Sequence, residues 1–130
     1  MFPILVDLDD DVPIYAQIER QIRALLGSGY WKPGDKLPSV RETAVRLQIN
    51  PLTVVKAFHH LQEEGLVETR PGAGVFAAKV PQAPRAARRE AVRRSLEEAI
   101  SQGAAHGLTR EEIADLFDAV LLKHRARLEK

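Results

Sequence analysis

The chain has 130 residues, no cysteine, 45% hydrophobic residues and a formal net charge of +1. That length fits one domain or a small domain with an appendage, and the apolar share is enough for a real core. Without cysteine there is no disulfide frame, thiolate metal site or thiol nucleophile, and with so little net charge any affinity for nucleic acid has to be local.

The opening stretch, "MFPILVDLDDDVP", is apolar and then acidic. It lacks the basic start and long apolar run of a secretory signal. No stretch approaches the roughly 18 apolar residues that a membrane span requires. A cytoplasmic protein with no membrane partner is expected.

The first predicted helix follows Pro13, which suits a first-turn position because no amide donor is needed there. Ile14, Ile18, Ile22, Leu25 and Leu26 recur at helical spacing, and Gly27 and Gly29 close the helix. "YWKPGDKLP" reads as a loop, with Pro33-Gly34 as its turn. Ser39 and Glu42 have capping-box spacing at the start of a short helix whose Val40, Ala44 and Leu47 face inward. A tight turn from Leu47 to Asn50 leads to the next helix. Asn50 caps it and Pro51 takes its first position. Ile49 and Val54 stand at staple positions around that start. Val54, Ala57, Phe58 and Leu61 form its buried stripe, and Gly65 ends it.

"LVETRPGAGVFAA" then predicts a β-hairpin with a glycine-rich tip. "KVPQAPRAA" reads as a linker. A helix is expected from about Ala86 to Gln102, with Val92, Leu96, Ala99 and Ile100 on one side and Gly103 at its end. Thr109, with Glu112 as capping-box partner and Leu108 and Ile113 as a staple, starts the last helix. Its apolar face is Ile113, Leu116, Phe117, Val120, Leu121 and Leu128.

Helix, short helix, tight turn, longer helix, hairpin is the winged helix-turn-helix order. The expected fold is α+β, mostly α. A winged helix-turn-helix occupies residues 1–78, and a linker with two helices occupies 79–130. At about 100° per residue, Leu52, Lys56, His59 and Glu63 fall opposite the buried stripe, with Val55 at the margin. Leu52 and Val55 can meet thymine methyl groups, and Lys56 a phosphate or a guanine edge. Arg41 sits in the first turn of the short helix, beside the groove in this geometry. Thr53 can turn its hydroxyl to a phosphate. At the tip Arg70-Pro71-Gly72-Ala73-Gly74, glycine lets backbone amides approach the sugar-phosphate chain. From Lys32 to His60 the basic side chains Lys32, Lys36, Arg41, Arg46 and Lys56 face only Asp35 and Glu42, so a local positive patch is present.

His59 and His60 are adjacent and diverge by about 100°, which suits chelation poorly. His106 and His124 stand alone. All four read as surface or groove histidines, with no metal, no cofactor and no enzyme expected. A second reading makes the winged helix a protein-interaction adaptor, with Leu52 and Val55 as anchors.

"PGDKLPSVRETAVRLQINPLTVVKAFHHLQEEGLVETRPGAGVF" resembles the DNA-binding domain of GntR-family bacterial transcriptional regulators. The resemblance runs from about Pro13 to Phe76. It rests on Pro33-Gly34, Leu37-Pro38-Ser39, Arg41-Glu42, Thr53-Val54, the Leu61/Glu64-Gly65-Leu66 segment and the Gly72-x-Gly74 wing. The Asn50-Pro51 pair and the short two-helix tail look like the YtrA-type subfamily. The resemblance implies a homodimeric repressor on a palindromic operator, with a recognition helix at 51–64 and a wing at 68–76. It implies DNA contacts by Arg41, by Pro51, Leu52, Thr53, Val55 and Lys56, and by the wing glycines Gly72 and Gly74. Asn50, His59 and Arg70 complete the expected interface. Pro51, Leu52 and Val55 stand where many relatives carry polar side chains, which favours thymine methyls and DNA shape over polar readout.

Regulators of this type often control neighbouring membrane-transporter operons. The tail is too short to bury a sizeable core alone. Its helices are expected to pair with a second copy through Val92, Leu96, Ile100, Ile113, Leu116, Phe117, Val120 and Leu121. Should a small-molecule effector act, the seam between the tail and the reading domain is its natural place.

Overall fold

The structure, a computed structural model, describes residues 1–79 and 84–128. The chain forms two compact units, Met1–Arg88 and Arg89–Lys130.

In the first unit, helix α1 (Ile14–Gly27) packs on α3 (Pro51–Glu63), and α2 (Val40–Leu47) packs on α3 from another side. Ile18 and Ile22 of α1 meet Val54, Ala57, Phe58 and Leu61 of α3, and all six are buried. These are the stripes that the helical spacing predicts. The Ser39 hydroxyl accepts from the Glu42 amide at 3.0 Å and starts α2. Gln48 then takes a left-handed conformation at φ 56°, and the Ile49 amide donates back to the Ala44 carbonyl. The turn therefore closes without glycine. The Asn50 side chain accepts from the Leu52 amide at 2.9 Å and opens α3, with Pro51 in its first turn.

Strands β1 (Val67–Arg70) and β2 (Gly74–Ala77) pair antiparallel, Val67 opposite Ala77 and Arg70 opposite Gly74. The segment expected as a plain loop adds a third strip to this hairpin. Leu37 donates its amide to the Val75 carbonyl, Ala77 donates to Asp35, and Lys36 stands opposite Phe76. The apolar alternation extends over too few residues there to signal a strand. The sheet's inner face, Leu37, Val67, Val75 and Ala77, completes the core.

The N-terminal arm is part of this unit. Ile4 is buried. Gln17, itself buried, accepts from the Asp7 amide and donates to the Asp7 and Val12 carbonyls. Gln21 accepts from the Leu5 amide and donates back to its carbonyl. Two glutamines one helical turn apart thus hold an extended arm against α1.

The second unit departs from the sequence reading in two places. Helix α4 (Arg85–Ala105) runs through Gly103. That glycine is the one buried residue of α4, because a methyl group there would lie 2.8 Å from Ile113 Cδ1. Gly103 is thus a contact point between helices, and Gly107, at φ 75°, makes the turn instead. Helix α5 (Arg110–Lys123) opens on Thr109 and Glu112 with both arms of the capping box formed. It stops at His124, and Leu128 belongs to a separate short helix, α6 (Arg125–Leu128). The linker expected at 79–87 overlaps residues 80–83, which lie outside the described residues, and its last three residues already belong to α4.

Candidate nucleic-acid interface

The first turns of α3 stand open. Leu52 is 72% exposed on the side opposite the buried stripe, and Val55, at the margin, is 45% exposed. A single exposed leucine is ordinary, but here two apolar side chains share the start of a helix that follows a tight turn. Pro51 and Asn50 are exposed beside them, and Thr53 is half-buried. The first turn of α3 carries no acidic side chain. The positive end of the helix dipole therefore meets no opposing carboxylate, while its first amides, Leu52 and Thr53, are bonded to Asn50.

Arg41 is exposed on the first turn of α2 and forms no ion pair among the described residues. Val45, one turn further along, is 68% exposed on the same side. Val45 is not among the contacts expected from the sequence. The signal was present, since an apolar residue four positions after Arg41 lies off the Val40, Ala44 and Leu47 stripe.

Other expected contacts are already engaged. The Lys56 ammonium lies 4.0 Å from the centre of the Tyr15 ring, a cation–π contact that leans it toward α1. His59 faces Glu63 at 3.2 Å, and both are exposed. Arg70 pairs with Glu68 at 2.7 Å and stacks over Phe76 at 4.2 Å. Gly72, at φ 78°, and Gly74, at φ 126°, shape the wing tip in conformations that favour glycine.

Behind the exposed face, a charged network fixes α3 to α1. Arg23 grips Glu64 through two bonds, at 3.0 and 2.6 Å, and reaches Glu19 at 3.2 Å. The Glu64 carboxylate holds the Arg23 pKa above its ordinary range. Glu19, nearly fully buried, also takes the His60 ring nitrogen at 2.9 Å. His60 is thus a structural link, occupied by a carboxylate of the neighbouring helix. Thr69 donates to Gln62 at 2.8 Å and ties the wing to α3. Among the described residues, no group of three or more His, Asp or Glu side chains is placed to hold a metal ion.

In the second unit, the residues expected to pair with another copy are mostly uncovered. Val92, Leu96 and Ile100 stand exposed at four-residue spacing on α4. Leu116, Val120 and Leu121 are exposed on α5, while Ile113 and Phe117 are half-buried. Inside this unit the two helices meet where Gly103 lies under Ile113.

A DNA-reading winged helix-turn-helix is the class this fold and open helix define. Residues 14–77 match the model of the gntR family of bacterial regulatory proteins. The chain is 48% identical to the HTH-type transcriptional repressor YtrA of Bacillus subtilis over 73 residues, 56% of each chain. It therefore matches little more than half of that relative's length. Identity to the uncharacterised HTH-type regulator YhcF of the same organism is 39% over 103 residues, 79% of this chain and 85% of the other. The solved structure of YtrA from Sulfolobus acidocaldarius, a GntR-family transcription factor, superposes with a TM-score of 0.59 at 34% identity, covering 91% of this chain and 96% of that one. The chain belongs to the GntR family, on its YtrA-like branch, and is a DNA-binding transcriptional regulator rather than an enzyme. No helix among the described residues is long and apolar enough to cross a membrane.

Proposed function

We propose that the protein is a homodimeric repressor that binds a palindromic operator. Residues 1–78 read DNA and residues 79–130 pair the two copies. The single observation that carries the reading is the exposed apolar pair Leu52 and Val55 at an acid-free helix start. In the major groove those side chains meet thymine methyls, and the Thr53 hydroxyl takes a phosphate. Arg41 grips the backbone or a base edge from α2, and the glycine tip of the wing follows the sugar-phosphate chain. Lys56, held against Tyr15, is aimed at a phosphate on the flank rather than at a base edge.

The uncovered stripes of α4 and α5 support the pairing. A twofold contact between identical copies is the commonest way to cover such a face. It also joins two half-site contacts into one binding event. A DNA reader works where the chromosome is, so we assign it to the cytoplasm. The repressor action follows the name of the Bacillus YtrA relative, and control of a neighbouring transporter operon extends the same branch assignment.

The test is binding of the full-length protein to duplexes that it selects from a randomised pool. Palindromic sequences rich in thymine at the contacted positions are expected. Arg41→Ala should weaken binding by roughly 10- to 100-fold, from about 1–3 kcal/mol per good contact, while the thermal melt stays unchanged. Recovery of sequences without twofold symmetry, or unaltered affinity for Arg41→Ala, sinks this docking. Failure to select any duplex would favour the protein-adaptor reading, with Leu52 and Val55 as its anchors.

A further inference from the structure

The wing's own arginine is poorly placed to hold a phosphate. Residues directly opposite one another in an antiparallel pair share a face, as do residues two apart along a strand. Glu68 stands opposite Phe76, and Lys36 stands opposite Phe76 from the other side. Arg70 and Gly74 form the next row toward the tip. Glu68, Arg70, Gly74, Phe76 and Lys36 therefore share the sheet's outer face.

On that face Arg70 is turned inward. Its guanidinium lies over Phe76 and against the Glu68 carboxylate, so the charge it carries is cancelled beside it. Lys36 is exposed and makes no ion pair among the described residues. Its carboxylate neighbour in sequence, Asp35, is occupied by the Lys32 amide at 2.8 Å. The Lys36 stem runs toward the tip across Gly74. A methyl group at Gly74 would lie 3.0 Å from Lys36 Cε and 3.7 Å from its ammonium nitrogen. The missing side chain at Gly74 is what lets the lysine lie there. Two ladder bonds on either side, Leu37 to Val75 and Ala77 to Asp35, fix the backbone that launches it.

We propose that Lys36, reaching over Gly74, is the phosphate-gripping cation of the wing, and that Arg70 serves mainly to brace the hairpin. The assignment rests on the DNA-reading function proposed above. It adds a contact from the strip before α2, five residues upstream of Arg41, so that one short segment grips the backbone at both of its ends. A lysine suits this task as a compact point charge that needs no planar partner.

The experiment measures affinity of the full-length protein against salt concentration, on the tightest duplex it selects. Each phosphate contact contributes about −0.9 to the slope of log affinity against log salt. Lys36→Met keeps the apolar stem and removes the charge. It is expected to make the slope shallower by about 0.9 per subunit and to weaken matched and mismatched duplexes by the same factor. Lys36→Arg restores the slope, and Arg70→Gln changes it by less than half as much as Lys36→Met. A wild-type slope in Lys36→Met, or an equal loss in Arg70→Gln, overturns the assignment while leaving the DNA-reading function standing. Absence of any salt-dependent duplex binding by the wild type removes that function, and this contact with it.

Discussion

The two units of this chain solve the same problem in opposite ways. In the first, each apolar stripe has found its cover. Ile18 and Ile22 lie against Val54, Ala57 and Leu61, all at 0% exposure, and a three-strip sheet closes the remaining side. In the second, α4 and α5 carry comparable apolar residues, yet Leu116 and Val120 both stay 54% exposed. Two short helices have too little surface to enclose a core between them. The reading unit thus covers its stripes within a single chain, whereas the tail leaves its own uncovered, which is the observation behind the proposed pairing with a second copy.

The comparison breaks if the tail proves as self-sufficient as the reading unit. Replacing both Leu116 and Val120 with Glu puts charge on the uncovered face without touching the first unit's core. The expected outcome is a single-chain mass by light scattering and an unchanged melt of the reading unit. Operator affinity should fall by about 10²- to 10⁴-fold as the linked half-sites are lost. Persistence of the double mass would mean that the stripe is not the pairing surface.

The opposite substitution tests the other side of the contrast. Leu61 is fully buried at the end of the α3 stripe. Truncation of such a leucine removes apolar contacts and leaves a cavity, costing about 2–5 kcal/mol. Leu61→Ala should therefore lower the stability of the reading unit by that amount in urea unfolding. At protein concentrations where the chain stays folded, its dimer mass should persist. A loss below about 1 kcal/mol would show that α3 is held chiefly by the Arg23, Glu19, Glu64 and His60 network rather than by its stripe.

What the sequence disclosed follows the same division. Every element of the reading unit rests on a local signal: a stripe at helical spacing, Asn50-Pro51 at a helix start, or alternation around a glycine tip. The structure keeps all of them because tertiary packing agrees with local preference. The features that escaped depend on distant partners. Asp35–Leu37 becomes a sheet strip only because β2 offers it an edge. The N-terminal stretch reads only as apolar and then acidic, and its place in the fold depends on Gln17 and Gln21, at one-turn spacing, which bond its backbone. Gly103 looks like a helix stop, since glycine commonly is one, but close approach to Ile113 gives glycine a second reason to occur. At the candidate interface, the exposure of Leu52, Val55 and Arg41 was legible from helical geometry. The engagement of Lys56 by Tyr15 and of Arg70 by Glu68 was not, because each depends on a rotamer chosen in the fold.

The smallest effect sharpens the comparison from inside the complete unit. Thr43 of α2 is fully buried, and its hydroxyl has no hydrogen-bond partner among the described residues. Helical spacing placed Val40, Ala44 and Leu47 toward the core and gave no reason to expect a hydroxyl there. A buried polar group without a partner costs about 1–3 kcal/mol, and replacement by an apolar group of the same shape removes that cost. Valine differs from threonine by a methyl in place of the hydroxyl, and both share the same branching at Cβ. Thr43→Val should therefore stabilise the reading unit by about 1 kcal/mol in urea unfolding, with the dimer mass and the salt slope of DNA binding unchanged. A destabilised variant would instead assign the hydroxyl a bonded role, with water or with a carbonyl of the preceding turn. The core around α2 would then be held partly by polar contacts, and the contrast between a sealed first unit and an open second one would be weaker.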